Sequence, residues 1–212
     1  MREMKNFSAA SRAWVGLALA VLLIVAGAQP LAAQVTTKTF AISPNPAFES
    51  CAGNSPTVTV SVTRGRPDDV MTVTGDRFLP NLSFDLFTVQ RSNLLATGEI
   101  DPNFKDFGMA WFQTALHADA NGHFSTTVRS IIFDQIFGFD PDVKLGPTHT
   151  FHVGIWFDNP ADAVACGFDA SKPTPFNGKH KAGPVAMISR PDATTNLGPL
   201  CTKPNGTGGC IP

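Results

Sequence analysis

The residues able to do chemistry are few and scattered. His149 and His152 lie three apart in the strand-like stretch Thr148 to Phe157. On a strand that spacing puts them on opposite faces, so they cannot share a metal and read as two ordinary strand histidines. His117 and His123 flank Asp119-Ala120-Asn121-Gly122 and would approach each other across a hairpin. A metal site from this pair would need further ligands, such as Asp119. Asp158, Asn159, Asp162 and Asp169 gather oxygen ligands after Trp156, a set suited to weak extracellular Ca²⁺ binding. Their spacing is not that of an EF-hand, and a helix start explains two of them, with Asn159 as N-cap, Pro160 in the first helical position and Asp162 in the first turn. Trp111, Trp156 and Phe137 are candidates for an aromatic ligand face, against the plainer reading of core. Nucleophile elbows, H-E-x-x-H and phosphate-binding glycine loops are all missing from the sequence. No catalytic residue is assigned, and no cofactor is expected beyond the calcium candidates.

The elements that would position these residues are strands. Val58, Val60 and Val62 alternate with Thr57, Thr59, Ser61 and Thr63, the period of a half-buried strand. A second strand is predicted over Val70–Thr74. A third covers Ser83–Gln90, where Phe84 and Leu86 oppose Phe87 and Val89, so both faces should be covered. Asn93–Phe107 lacks a period and reads as a long loop. Ala110–Ala118 and His123–Arg129 are predicted to pair as a tight hairpin, because Asn-Gly suits a type I′ turn. Ser130–Lys144, apolar but irregular, is expected to pack as a lid, and the cleft beneath it is the expected small-molecule site. Thr148–Phe157 is a further strand, Pro160–Ala165 one or two helical turns, and Pro184–Ser189 a short edge strand. The expected fold is all-β, an antiparallel immunoglobulin-like β-sandwich of about seven or more strands with long loop insertions.

The N-terminus sets the compartment. Arg2, Lys5 and Arg12 precede the apolar run Trp14–Ala28, and Gln29-Pro30-Leu31-Ala32-Ala33 supplies a helix breaker and small residues. That is the order of a cleaved secretory leader, and the run is shorter than the ~20 residues that span a bilayer. Cleavage is expected after Ala33, with Ala28 the second choice. The expected organisation is a leader over 1–33, one domain over 35–190 and a flexible, disulfide-pinned tail over 191–212. Without the leader, 13 basic residues face 16 acidic ones, a balance that argues against nucleic acid as a partner. All four cysteines follow the leader. In an oxidising compartment they read as two disulfides, with Cys51–Cys166 and Cys201–Cys210 favoured among three possible pairings. The absence of any C-x-x-C pair argues against zinc.

Val70-Met71-Thr72-Val73-Thr74-Gly75, followed by Phe78-Leu79-Pro80-Asn81 and a strand, resembles the opening of bacterial secreted immunoglobulin-like domains of the IPT/TIG-like or neocarzinostatin-like kind. Asp119-Ala120-Asn121-Gly122-His123-Phe124 resembles a hairpin of the same group. The likeness covers Thr57 to Val128, and its motifs are turn chemistry. It implies an immunoglobulin-like fold and, through the neocarzinostatin-like proteins, a bound small molecule. The Asn93–Phe107 insertion and the long Phe139–Lys181 region depart from such domains.

The expected function is a non-catalytic module, secreted, periplasmic or at the cell surface, with a binding or structural role. Its partner would be an extracellular ligand or surface component, with no membrane span after leader cleavage. The alternatives are a small-molecule carrier of the neocarzinostatin-like type and, less favoured, an extracellular hydrolase whose acids and histidines converge only in the fold.

Overall fold

The computed structural model describes residues 37–65, 68–130, 150–171 and 182–201. The leader, the Ser130–Lys144 lid beyond its first residue, His149, Phe137 and Cys210 lie outside the described residues. The chain divides into two units, 1–34 and 35–212, and every described residue belongs to the second.

Among the described residues nine strands carry the fold: β1 (Thr37–Pro44), β2 (Gly53–Thr63), β3 (Asp69–Phe78), β4 (Ser83–Val89), β5 (Ala110–His117), β6 (Phe124–Ser130), β7 (Thr150–Phe157), β8 (Val185–Ile188) and β9 (Leu200–Cys201). One helical turn, α1 (Glu49–Ala52), precedes β2, and a 3-10 helix spans Pro160–Cys166. All pairings are antiparallel, in the order β5-β4-β7-β8-β1-β2-β3-β6, with β9 added to β7. The sheet is barrel-like and nearly closed. β1 joins its halves, because Thr37–Ile42 pair with β2 while Ser43 and Pro44 pair with β8.

The period-two pattern explains the inner face. Val58, Val60, Val62, Met71 and Val73 from one half meet Phe84, Leu86, Phe151, Val153 and Ile155 from the other in one buried cluster. On the outer face of β1, β2, β3 and β6 the alternate residues are hydroxyl-bearing and pair across strands. Thr37 bonds Thr63 at 2.9 Å, Thr39 bonds Ser61 at 3.1 Å and Thr72 bonds Thr127 at 3.1 Å. Such cross-strand pairs contribute roughly 0.2–1 kcal/mol each.

β4 is covered on both faces, as its aromatic pattern predicts. Phe87 and Val89 point away from the inner core into a second cluster with Leu94, Phe107, Trp156, Val185 and Ile188. The Asn93–Phe107 segment supplies that cover.

Two expectations are corrected. First, β5 and β6 do not form a hairpin, because β5 pairs with β4 and β6 with β3. The Asp119–Gly122 turn is real, with Gly122 at φ 73° and Asp119 Oδ1 accepting the N–H groups of Asn121 and His123. It is a corner between the halves, since Phe124 is drawn to β3 opposite Gly75 and packs on Phe78 at 5.0 Å. Second, β8 is not an edge, because it lies between β7 and β1. Past residue 190, Leu200 and Cys201 pair with Phe151 and Thr150 and are buried.

Cys51 and Cys166 are bonded, tying α1 to the 3-10 helix across 115 residues of sequence. Cys201 is also disulfide-bonded. The helix start is the expected one, with Asn159 capping, Pro160 in the first turn and Asn159 Oδ1 accepting the Ala161 N–H at 3.0 Å.

Candidate functional site

The site is built on the outer face of β7. Its alternate residues Phe151, Val153 and Ile155 face the inner core. Thr150, His152, Gly154 and Trp156 therefore face the other way, yet every residue of β7 is buried. The cover has two parts. Near Trp156 it is hydrocarbon, with the indole edge-on to Phe87 at 5.3 Å and Phe107 at 5.0 Å. Gly154 leaves room for that ring, since a Cβ there would stand 2.8 Å from Trp156 Cζ3. Near His152 the cover is polar and leaves a cavity of about 180 Å³ between the 90–105 and 191–196 segments.

Both walls are held by their own bonds. Gln90 and Arg91 donate their backbone N–H groups to the Phe107 carbonyl at 3.1 Å, and Gln90 Oε1 accepts the Met109 N–H at 2.8 Å. Arg91 pairs with Asp106 at 3.6 Å, and the Asp101 N–H reaches the Asn93 carbonyl at 2.9 Å. Asp101 Oδ1 accepts the Asn103 N–H at 2.8 Å. In the second wall Asp192 Oδ1 accepts the N–H groups of Thr194 and Thr195 and the Thr195 hydroxyl. The Thr195 N–H, and then that of Thr194, hold the Asp192 carboxyl below its ordinary pKa. Asn196 sits at φ 57°, and the Gly198 N–H bonds Thr150 Oγ1 at 3.3 Å.

His152 lies at the floor of the cavity, 4 % exposed. Its Nδ1 is 3.0 Å from both the carbonyl and the hydroxyl oxygen of Ser189. A carbonyl can only accept, so Nδ1 carries the proton and donates it, and in the neutral ring Nε2 presents a lone pair. Burial lowers the imidazole pKa from 6.5 to about 4, against a smaller upward pull from the Ser189 backbone bond. The ring is therefore neutral at pH 7. No hydrogen bond engages Nε2 among the described residues.

A second recess of about 400 Å³ lies beyond Pro191, between Lys38–Phe40 and Arg190–Pro199. It is larger but less built for recognition, since Arg190 and Asp192, which line it, hold the chain together. Arg190 donates to Ser43 Oγ at 2.6 Å and to the Thr97 carbonyl at 3.1 Å, and Asp192 holds its own turn.

The sequence-derived candidates fall elsewhere. Asn159 is the helix cap, and Asp169 Oδ1 accepts the Ser171 N–H at 3.1 Å and hydroxyl at 2.6 Å. Burial, and then the Asp158 charge, raises the Asp162 pKa. Among the described residues no group of three or more His, Cys, Asp or Glu is placed to hold a metal ion. His117 and His123 have separate partners, Ser83 Oγ at 3.0 Å and Asp76 Oδ1 at 2.8 Å. Trp156 is wholly buried and belongs to the core rather than to a ligand face. Trp111 is 42 % exposed on β5, an end strand of the sheet. His152, read from the sequence as an ordinary strand residue, lines this cavity. Its signal was an ionisable residue between Phe151 and Val153 on a strand that, Thr150 apart, is otherwise apolar.

Compared with protein-family models, curated proteins and solved structures, the chain matches none of them.

Proposed function

We propose that this chain is an exported, non-catalytic binding module whose two sheet halves pack as an antiparallel β-sandwich around the inner core. The observation that carries the reading is His152, a buried neutral imidazole with Nδ1–H committed to Ser189 and Nε2 left for the cavity. A ligand hydroxyl or N–H can donate to the Nε2 lone pair in place of water. The leader-like N-terminus and the Cys51–Cys166 bond support export. No helix among the described residues is long and apolar enough to cross a membrane. The resemblance to secreted immunoglobulin-like modules supports the same compartment.

Binding is favoured over hydrolysis by the imidazole itself. A general base works best with a pKa near the working pH, and burial holds His152 at about 4. Its Nδ1 also meets a neutral carbonyl and hydroxyl, where the orienting group of a catalytic triad is a carboxylate. An apolar carrier of the neocarzinostatin-like type is less favoured, because Phe107 and Trp156 fill the second hydrophobic cluster.

The test pairs turnover with binding. The purified mature chain should leave esters, glycosides and peptides intact while binding small polar compounds reversibly, as read by saturation-transfer NMR. Turnover that disappears in His152→Gln would contradict the reading.

A further inference from the structure

We propose that the His152 cavity takes one neutral sugar ring, either as a free monosaccharide or as the end residue of a glycan. The inference rests on the binding reading above and names the ligand class of that site.

Size is the first argument. At ~30 Å³ of liquid volume per water, about 180 Å³ holds roughly six waters. A pyranose offers a comparable number of hydroxyl and ring oxygens. The space is also below the ~300–1,000 Å³ of drug-sized sites.

Charge is the second. Arg91 and Lys105 line the cavity with Asp101, and Arg91 is paired outside it with Asp106. These four formal charges cancel. The cavity therefore has little net attraction for an anion or a cation, while keeping strong donors and acceptors of both kinds.

Chemistry is the third. A sugar hydroxyl donates one hydrogen bond and accepts others, so its site needs acceptors and donors side by side. His152 Nε2 can only accept. Asp101 has Oδ1 on the Asn103 N–H and keeps Oδ2 as a second acceptor. The Asn103 and Asn196 amides offer both functions, and Lys105 donates without an ion pair among the described residues. Phe104, packed at 4.6 Å against Phe107, supplies a fixed aromatic surface for the C–H face of a ring. The cavity is partly open to solvent, so a linked residue can extend outward.

The experiment titrates the ¹⁵N-labelled mature chain with methyl pyranosides of glucose, galactose and mannose. Neutral oligosaccharides ending in those residues, lactate and inorganic phosphate are run beside them. The inference expects at least one pyranoside to shift the amides of Gln90, Arg91, Asn196 and Gly198. Tighter binding of the oligosaccharide marks a glycan end as the ligand, and equal binding marks a free sugar. His152→Gln should weaken binding at least tenfold. Asn196→Gly, which keeps the positive φ and removes only the amide, should weaken it about as much, and it guards against misfolding of the buried variant. Binding of lactate or phosphate without any pyranoside would overturn the sugar and leave the binding module standing. If no small polar compound binds, both fall.

Discussion

His152 carries a thermodynamic signature as well as a ligand contact. Its pKa is depressed to about 4 in the folded chain, against 6.5 when solvated. Between those values the unfolded chain takes up a proton that the folded chain refuses. Stability from this residue is thus complete above pH 6.5 and is lost as pH falls toward 4, by up to roughly 3 kcal/mol. Urea denaturation from pH 4 to 8 should show that slope in the natural chain and a flatter one in His152→Phe, which keeps the bulk and cannot titrate. Equal slopes would mean that the imidazole is solvated or charged.

At the scale of elements, the 90–107 segment is both the cover of the second cluster and a wall of the cavity. Phe107 links the two, since its ring packs on Trp156 while its carbonyl receives the Gln90 and Arg91 N–H groups. Phe107→Ala should cost ~3–5 kcal/mol and speed hydrogen exchange at Gln90 and Arg91. A stability loss confined to the inner-core strands would argue that the segment is held some other way.

Local physics made much of this legible. The Val58/Val60/Val62 alternation, the double-sided burial of β4, the Asn159 cap and the Cys51–Cys166 bond follow from spacing and residue type. The Asn121-Gly122 turn was legible as a turn, but not the partners of its strands. Those are decided by Phe124 packing on Phe78 and by β5 aligning with β4, contacts distant in sequence. β1 was not read, and the interior place of β8 depends on it. The cavity was illegible for the same reason, because its walls are a loop after β4 and a turn after β8 that meet over a histidine of β7.

At the scale of the whole molecule, one covalent tie joins α1 to the 3-10 helix across most of the strands. Cys51–Cys166 encloses a loop of more than 100 residues, for which chain entropy predicts stabilisation of about 4–5 kcal/mol. Replacing both cysteines by alanine should lower the unfolding free energy by ~2–5 kcal/mol while leaving pyranoside affinity within a few-fold, because the bond joins α1 to the 3-10 helix and neither lines the cavity. Loss of binding in a variant that stays folded would mean that the site extends to that end of the molecule.

The most direct test of a neutral acceptor facing a ligand is the ¹⁵N imidazole spectrum of His152 at pH 7, with and without saturating methyl pyranoside. The account predicts a neutral ring protonated at Nδ1, with an Nε2 resonance that moves when the sugar is added and an Nδ1 resonance that stays. A charged ring, a proton on Nε2, or an Nε2 signal indifferent to every pyranoside would contradict it.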